Sequence, residues 1–250
     1  MSQPSKLFDK RGGYRKLHSF TFATMIHLET ISFCKRFIPW QEDQLGKTAG
    51  QMIGAARSGR QNIIEGSERS STSKETEIKL TDVARASLAE LLGDFEIYLA
   101  EHATIPWSKN DANRQNLASI LLPDFQYTDD SQHDYWVYYH HTRSVYTSWF
   151  DSPDSIMVAN TLVILIQKTM GMLNTQIRVL GETFLNEGGF RERMYQSRSE
   201  VRDKTVENGP ACPDCSKPMR QRIAQHGKNT GNQFWGCSDY PNCHGVRPKE

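Results

Sequence analysis

The sequence predicts a mainly α fold: an up-down four-helix bundle, an inserted aromatic and acidic region, and a small C-terminal β ribbon closed around a metal ion. Three observations predict it. Four long stretches carry apolar residues three or four positions apart, the spacing of one helix face. Between the third and the fourth, residues 106–152 lose that spacing and turn acidic and aromatic. Four of the five cysteines stand within the last forty residues.

The first helix is expected over 14–38, with Leu17, Phe20, Leu28, Ile31, Cys34 and Ile38 on its buried face and Pro39 ending it. Cys34 therefore reads as a small core residue. The second is expected over 43–66, through Leu45, Ala49, Met52, Ile53, Ala56 and Ile63. Its small residues, among them Gly50, Gly54 and Gly59, would let a neighbouring helix approach closely. Glu65-Gly66 reads as its capped end. The third covers 72–105, from a capping-box pair at Thr72 and Glu75, through Leu80, Ala84, Leu88, Leu91, Phe95 and Leu99, to Pro106. The fourth covers 153–187, starting at Ser152-Pro153-Asp154 as an N-cap followed by a first-turn proline, and closing at Gly188-Gly189. Four such helices bury their faces most simply as an antiparallel bundle, so residues 1–190 form the first domain.

The insertion is expected to hold one short helix near Asn113–Leu121. The run "YWVYYHH" (135–141) alternates like a short strand or packed flap, although His140 and His141 could instead serve a metal or stack on bases. Residues 191–209 form a charged helical neck, broken at Asn208-Gly209-Pro210 before the ribbon of 210–250.

Net charge is +1, but it is segregated: +5 over 1–80, −8 over 81–190 and +4 over 191–250. A polyanion is drawn to the two ends rather than to the middle. No signal peptide is visible and no run approaches the ~20 apolar residues of a membrane span, so a cytoplasmic location without membrane contact is expected. Thiols then stay reduced, which favours metal over disulfides.

The tail spacing is Cys212-x2-Cys215, then Cys237-x5-Cys243. A C-x-x-C knuckle offers two thiolates to one ion, and a second pair completes a tetrahedron without an open position, the pattern of one structural zinc. A segment of ~40 residues has too little core to fold alone, so metal binding supplies its folding free energy. His226 and His244 are not needed; His244 is the one substitute for Cys243.

No phosphate loop, H-E-x-x-H, nucleophile elbow or carboxylate pair is present, and His133, Asp134, His140 and His141 form no recognised spacing. No catalytic residue is assigned, and the chain reads as a non-enzyme.

The tail "CPDCSKPMRQR…GNQFWGCSDYPNCHG" (about 210–247) resembles the zinc ribbons repeated near the C-terminus of bacterial type IA DNA topoisomerases. The resemblance implies contact with single-stranded nucleic acid. Phe234, Trp235 and Tyr240 would stack on bases unless they pack the ribbon's own core, while Arg220, Arg222, Lys228 and Arg247 would meet phosphates. Nothing resembles the topoisomerase catalytic domain.

The segment "RSGRQNIIEGSERSSTSKETEIKLTDVARASLAELLGDFEIYL" (Arg57–Leu99) resembles the four-helix bundle proteins encoded in 23S ribosomal RNA intervening sequences. It is also similar to the accessory proteins of diversity-generating retroelements. The matching positions are Arg57, Asn62, Ile63, Glu65 and Gly66, then Ala84, Ser87, Leu88, Glu90 and Leu91. The resemblance implies a homo-oligomer, pentameric in the retroelement branch, whose basic surface binds RNA or an RNA–DNA hybrid and assists a reverse transcriptase. The insertion and the ribbon depart from that family.

Read from the residues, Arg57, Arg60, Arg69, Lys74, Lys79 and Arg85 lie around the second and third helices, and Arg11, Arg15 and Lys16 lie near the N-terminus. Such a cluster binds phosphates without reading sequence. Glu65, Glu68, Glu75 and Glu77 are interleaved and compete for the same cations. The expectation is a non-catalytic, oligomeric accessory protein binding RNA or single-stranded DNA through bundle and ribbon, serving a reverse transcriptase or other mobile-element enzyme. The alternative is a protein–protein adaptor that docks a partner enzyme through the 106–153 insertion, its zinc ribbon structural.

Overall fold

The computed structural model describes residues 13–249 apart from 42, 127, 129 and 208; for 187 and 202–207 it describes the backbone only. Arg11 lies outside the described residues. Within them the chain forms two units, 13–189 and 190–249. The protein is mainly helical, with one small three-stranded antiparallel sheet.

In the larger unit a 3-10 turn (Tyr14–Lys16) leads into α1 (His18–Phe37), α2 (Lys47–Arg69) and α3 (Lys74–Glu101). Three shorter helices follow, α4 (Ala112–Ser119), α5 (Ser131–Ser144) and α6 (Thr147–Phe150), and then the long α7 (Ser155–Glu187). α1 packs on α2, α2 on α3, α3 on α7 and α7 on α1, a closed cycle around one core. Phe20, Met25 and Phe33 of α1, Met52 and Ile63 of α2, Leu88, Leu91 and Phe95 of α3, and Val158–Ile166 of α7 fill it.

The helix starts follow local hydrogen bonding, and two differ from expectation by one or two residues. α3 is capped by Ser73, not Thr72: the Ser73 hydroxyl accepts from the Thr76 N–H at 3.2 Å, whereas the Thr72 hydroxyl donates back to the Arg69 carbonyl. α7 is capped by Asp154, which accepts from the Ile156 N–H at 2.9 Å, so Pro153 precedes the cap instead of occupying the first turn. At α2 the Asp43 carboxylate accepts from the Thr48 and Ala49 N–H groups, which holds its carboxyl below the usual range. α3 ends at Glu101, short of Pro106, where Ala103 turns left-handed at φ 53°.

Glu65-Gly66 is not a helix end, because α2 continues to Arg69. Gly66 instead sits against α3, where a Cβ would lie 3.4 Å from the Glu77 carbonyl and from Leu80 Cβ. One heptad earlier, a Cβ on Gly59 would come within 2.8 Å of the Leu88 side chain. Close approach therefore belongs to these two glycines; Gly46, Gly50 and Gly54 face open space. Between them, Asn62 donates to Ser58, whose hydroxyl meets that of Ser87 at 3.0 Å, a polar seam linking α2 to α3.

The insertion is more structured than its composition suggests. "YWVYYHH" is helical, not a strand. Tyr135, Tyr138, Tyr139 and Thr142 recur at helical spacing on the buried face of α5, and Asp130 caps its start by accepting from the His133 N–H at 3.1 Å. His140 and His141 are exposed. This covering explains why Ser19 through Ile26 of α1 are all buried, while Leu28, expected in the core, is 40% exposed. The Tyr135 hydroxyl donates to Thr24 at 3.2 Å, and its ring lies 5.4 Å from that of Phe20. Arg143 pairs with the buried Glu29 of α1 at 2.9 Å and with Asp151 at 2.6 Å. Arg36 of α1 donates to the carbonyls of Phe150 and Ser152.

Cys34 is buried, and burial, then Asp43 and Asp94, push its thiol up to about 12, consistent with a packing role. α7 is long and apolar enough to cross a membrane by length and composition alone. In the fold its most apolar residues, Val158 to Ile166, are buried against the other helices. With ~50 Å of length against ~30 Å for α1, α7 outruns its neighbours, and Val179, Phe184 and Leu185 near its end are exposed.

Arg143 clasps the insertion onto α1. Replacing it by Met leaves the Glu29 carboxylate buried without its partner, and urea unfolding followed at the helical circular dichroism band should show a loss of about 2–3 kcal/mol. Glu29→Gln in the Arg143→Met background should recover most of it. The Arg143 N–H groups also hold the Asp151 carboxyl below its ordinary value. That stabilisation is present above pH ~4 and lost as pH falls through the folded value, so the variant should lose stability less steeply on acidification than the wild type.

Candidate metal centre and ribbon surface

The smaller unit begins with α8 (Phe190–Glu207), which packs on the first of three strands, β1 (Met219–Ile223), β2 (Gln233–Cys237) and β3 (Val246–Pro248). The strands pair antiparallel in the order β1-β2-β3, with Met219 opposite Cys237, Arg222 opposite Phe234 and Trp235 opposite Arg247.

Two turns bring the cysteines together. In the first, the Cys212 N–H donates to the Lys217 carbonyl at 2.8 Å and the Ser216 N–H to the Cys212 carbonyl at 3.0 Å, with Ser216 left-handed at φ 61°. In the second, the Asp239 N–H donates to Cys237 Sγ at 3.4 Å and the Cys243 N–H to the Asp239 carbonyl at 3.2 Å. Lys217 and Asp239, at 2.8 Å, tie the two turns together.

All four sulfurs lie within 4.8 Å of one another; Cys212 and Cys243 are 3.7 Å apart, and Cys215 and Cys237 are 3.4 Å apart. Thiolates bound at ~2.3 Å to one tetrahedral ion stand about 3.8 Å from each other, so the spacing fits a single closed site. Among the described residues no other His, Cys, Asp or Glu group has this arrangement. His244 does not compete for Cys243's place; its ring lies edge-on to Tyr240 at 5.2 Å.

The protonation pattern is that of a cluster waiting for a cation. Burial opposes the Cys212 thiolate, but the N–H groups of Asp214 and Cys215 outweigh it and bring the thiol down to about 7. The Gly245 N–H favours the Cys243 thiolate, yet its sulfur neighbours and burial prevail and push the thiol up to about 12. The Cys212 thiolate forms easily, whereas Cys237 and Cys243 resist further negative charge, a conflict that a divalent ion removes.

Gly245 is part of this site, although cysteine spacing does not reveal it. A Cβ there would run into Cys212 Sγ and come within 3.0 Å of the Asp214 carboxylate, while the Gly245 carbonyl accepts from the Cys237 N–H at 2.9 Å.

The ribbon's candidate contact residues divide between two faces, because cross-strand partners share a face and neighbours along a strand alternate. Met219, Trp235 and Arg247 share the metal face, and Trp235 packs against the Met219–cysteine cluster. Trp235 is therefore an aromatic of the small core. Arg220, Arg222 and Phe234 share the opposite face. There the Arg222 stem lies across Gly236, which has no side chain to block it, and the guanidinium sits 5.2 Å from the centre of the exposed Tyr240 ring. Arg220 is half-buried, its Nε enclosed without a hydrogen-bond partner. Lys228 is exposed in the β1–β2 turn.

Among the described residues, several basic side chains of the larger unit are engaged locally. Arg60 donates to Thr24 at 3.1 Å and lies over the Phe20 ring; Lys74 pairs with Glu77, Lys79 with Glu75 and Arg85 with Asp82. Arg15 lies over the Tyr14 ring. Lys16, Arg57 and Arg69 are exposed on the 3-10 turn and at two places on α2. Beside Arg57 and Arg60, burial and these two cations lower the pKa of His27.

No protein-family model, curated protein or solved structure matches the chain. The resemblances of the ribbon and of Arg57–Leu99 therefore rest on the residues quoted for them.

Cys212→Ser should remove bound metal and collapse the ribbon's amide dispersion in NMR spectra while the helical circular dichroism of the larger unit persists; loss of both together would refute two separately folded units. Gly245→Ala keeps all four ligands but crowds Cys212. It should lower metal affinity by about 10- to 100-fold in chelator competition, the range of residues that support ligands.

Proposed function

We propose that the protein is a non-catalytic nucleic-acid-binding accessory protein, built as an up-down four-helix bundle carrying a zinc ribbon. The observation that carries this reading is the ribbon face on which Arg222, Phe234 and Tyr240 meet. A guanidinium beside two aromatic rings offers a phosphate contact next to stacking surfaces, which suits single-stranded RNA or DNA. The four cysteines hold one zinc ion. Thiolate-rich tetrahedral sites select it, and four protein ligands leave no position for substrate, so the metal folds the ribbon and performs no turnover.

The resemblance of Arg57–Leu99 supports the rest: a cytoplasmic homo-oligomer, pentameric by that likeness, assisting a reverse transcriptase or another mobile-element enzyme. The exposed Val179, Phe184 and Leu185 at the end of α7 are apolar surface that a second copy could cover. Several ribbons on one oligomer would raise affinity through avidity. Arg57, Arg69 and Lys16 are exposed on the larger unit and would add phosphate contacts. A second reading, a protein–protein adaptor, is favoured by Trp136, Val137 and Val145, which leave apolar area exposed along the insertion.

A fluorescent single-stranded 20-mer, RNA or DNA, tests the first reading. Wild-type protein should bind it at low salt, with log K falling against log salt by about 0.7 per phosphate contacted. Phe234→Ala should weaken binding about 5- to 100-fold through a lost stack. A wild-type protein that binds neither strand at low salt contradicts the proposal, and a partner enzyme retained after nuclease treatment and deletion of 208–250 supports the adaptor.

A further inference from the structure

α8 reads in the sequence as a charged neck, a spacer between domains. In the fold it packs on β1 and belongs to the same unit as the ribbon. One of its faces has a composition that a spacer does not require. Arg191, Met194, Tyr195 and Arg198 recur at helical spacing and, with Ser199, line a shallow hollow. Arg191 and Arg198 are exposed, and Tyr195 is 70% exposed. Residues 191, 195 and 198 fall within a sector of about 60° at ~100° per residue, so two cations flank one aromatic ring along a single stripe. Among the described residues neither arginine pairs with an acidic side chain, in contrast to Lys74, Lys79 and Arg85.

We infer that this face of α8 is a second nucleic-acid contact of the ribbon unit, which binds single-stranded RNA or DNA by phosphate pairing at Arg191 and Arg198 and base stacking on Tyr195. The inference rests on the proposed function and extends it to an element outside the cysteine motif. Three physical points support it. An exposed tyrosine keeps a flat apolar ring in water, and a base covers such a ring with no demand on sequence. Positions 191 and 198 are separated by about 10 Å along the helix axis, the axial rise of a few nucleotides. The unit's net charge of +4 over 191–250 favours a polyanion over an acidic-face partner. A strand lying along the stripe would meet phosphate, base and phosphate in turn.

The test uses the full-length, zinc-loaded protein and a fluorescent single-stranded 20-mer, with a blunt duplex of the same sequence as control. Arg191→Gln with Arg198→Gln should lower the slope of log K against log salt by about 1.4, two phosphates at ~0.7 each. Tyr195→Ala should keep the slope and weaken single-strand binding by about 5- to 100-fold, with little change on the duplex, whose bases are already stacked. All three residues are exposed, and unchanged circular dichroism and metal content exclude a folding effect. Wild-type affinity and slope in both variants overturn the inference; if Phe234→Ala still weakens binding there, the ribbon reading survives and only the α8 contact fails. If wild-type protein binds neither oligonucleotide, the underlying reading fails with it. A basic helix with an exposed tyrosine could also meet an anionic bilayer. Binding to phosphatidylserine vesicles that these variants abolish, with oligonucleotide binding intact, overturns the inference in favour of a membrane surface.

Discussion

The ribbon depends on one electrostatic conflict. Four thiols are held within 4.8 Å of one another by two turns and an antiparallel hairpin, a separation at which four thiolates repel and four thiols leave no attractive force. Apart from the cysteines themselves, the packing around them amounts to Met219 and a partly buried Trp235. That is too little apolar area to offset the chain entropy of some forty residues. A divalent ion bound there would turn the repulsion into four bonds, and the fold would follow from it. On that account the register that places Arg222 opposite Phe234, the turn that carries Tyr240 and the strand on which α8 packs would all be downstream of the metal.

The larger unit is held differently. Its helices close a cycle around a continuous apolar core, and α2 and α3 approach closely because Gly59 and Gly66 leave room for Leu88 and Leu80. The insertion does more than connect. It covers the outer side of α1 with tyrosines and secures itself through Arg143 and Arg36, converting a helix that would be half-exposed into one buried for most of its first two turns. Many of this unit's cations are engaged in that internal work or in pairs along one helix, so the phosphate-binding role proposed for the protein falls more heavily on the ribbon unit.

The long helices and the cysteine cluster were legible in the sequence because both signals are local. A face repeats every three or four residues whatever it packs against, and knuckle spacing is set by the turn itself. What was not legible depended on contacts between elements. "YWVYYHH" alternates by accident of composition, and only the packing of Tyr135 and Tyr139 on α1 selects the helix. Leu28 looks like a core residue by spacing, yet it is exposed, while its neighbour Glu29 is buried against Arg143 of α5. Glu65-Gly66 looks like a terminus, but the glycine serves the approach of α3. Gly245 carries no signal of its own, since its requirement comes from the Cys212 sulfur more than thirty residues away in sequence. Trp235 and Phe234 are equivalent as letters, and only strand alternation sends one to the cysteine cluster and the other to the opposite face.

If the metal folds the ribbon and the ribbon holds the strand, metal occupancy and nucleic-acid affinity must rise together. The most direct measurement removes the metal from intact protein with a chelator and returns zinc stepwise under reducing conditions, recording the affinity for a single-stranded oligonucleotide at each step. The account predicts that binding is weak in the metal-free protein, grows in proportion to occupancy and saturates at one zinc per chain. Affinity that is the same at zero and full occupancy would contradict it.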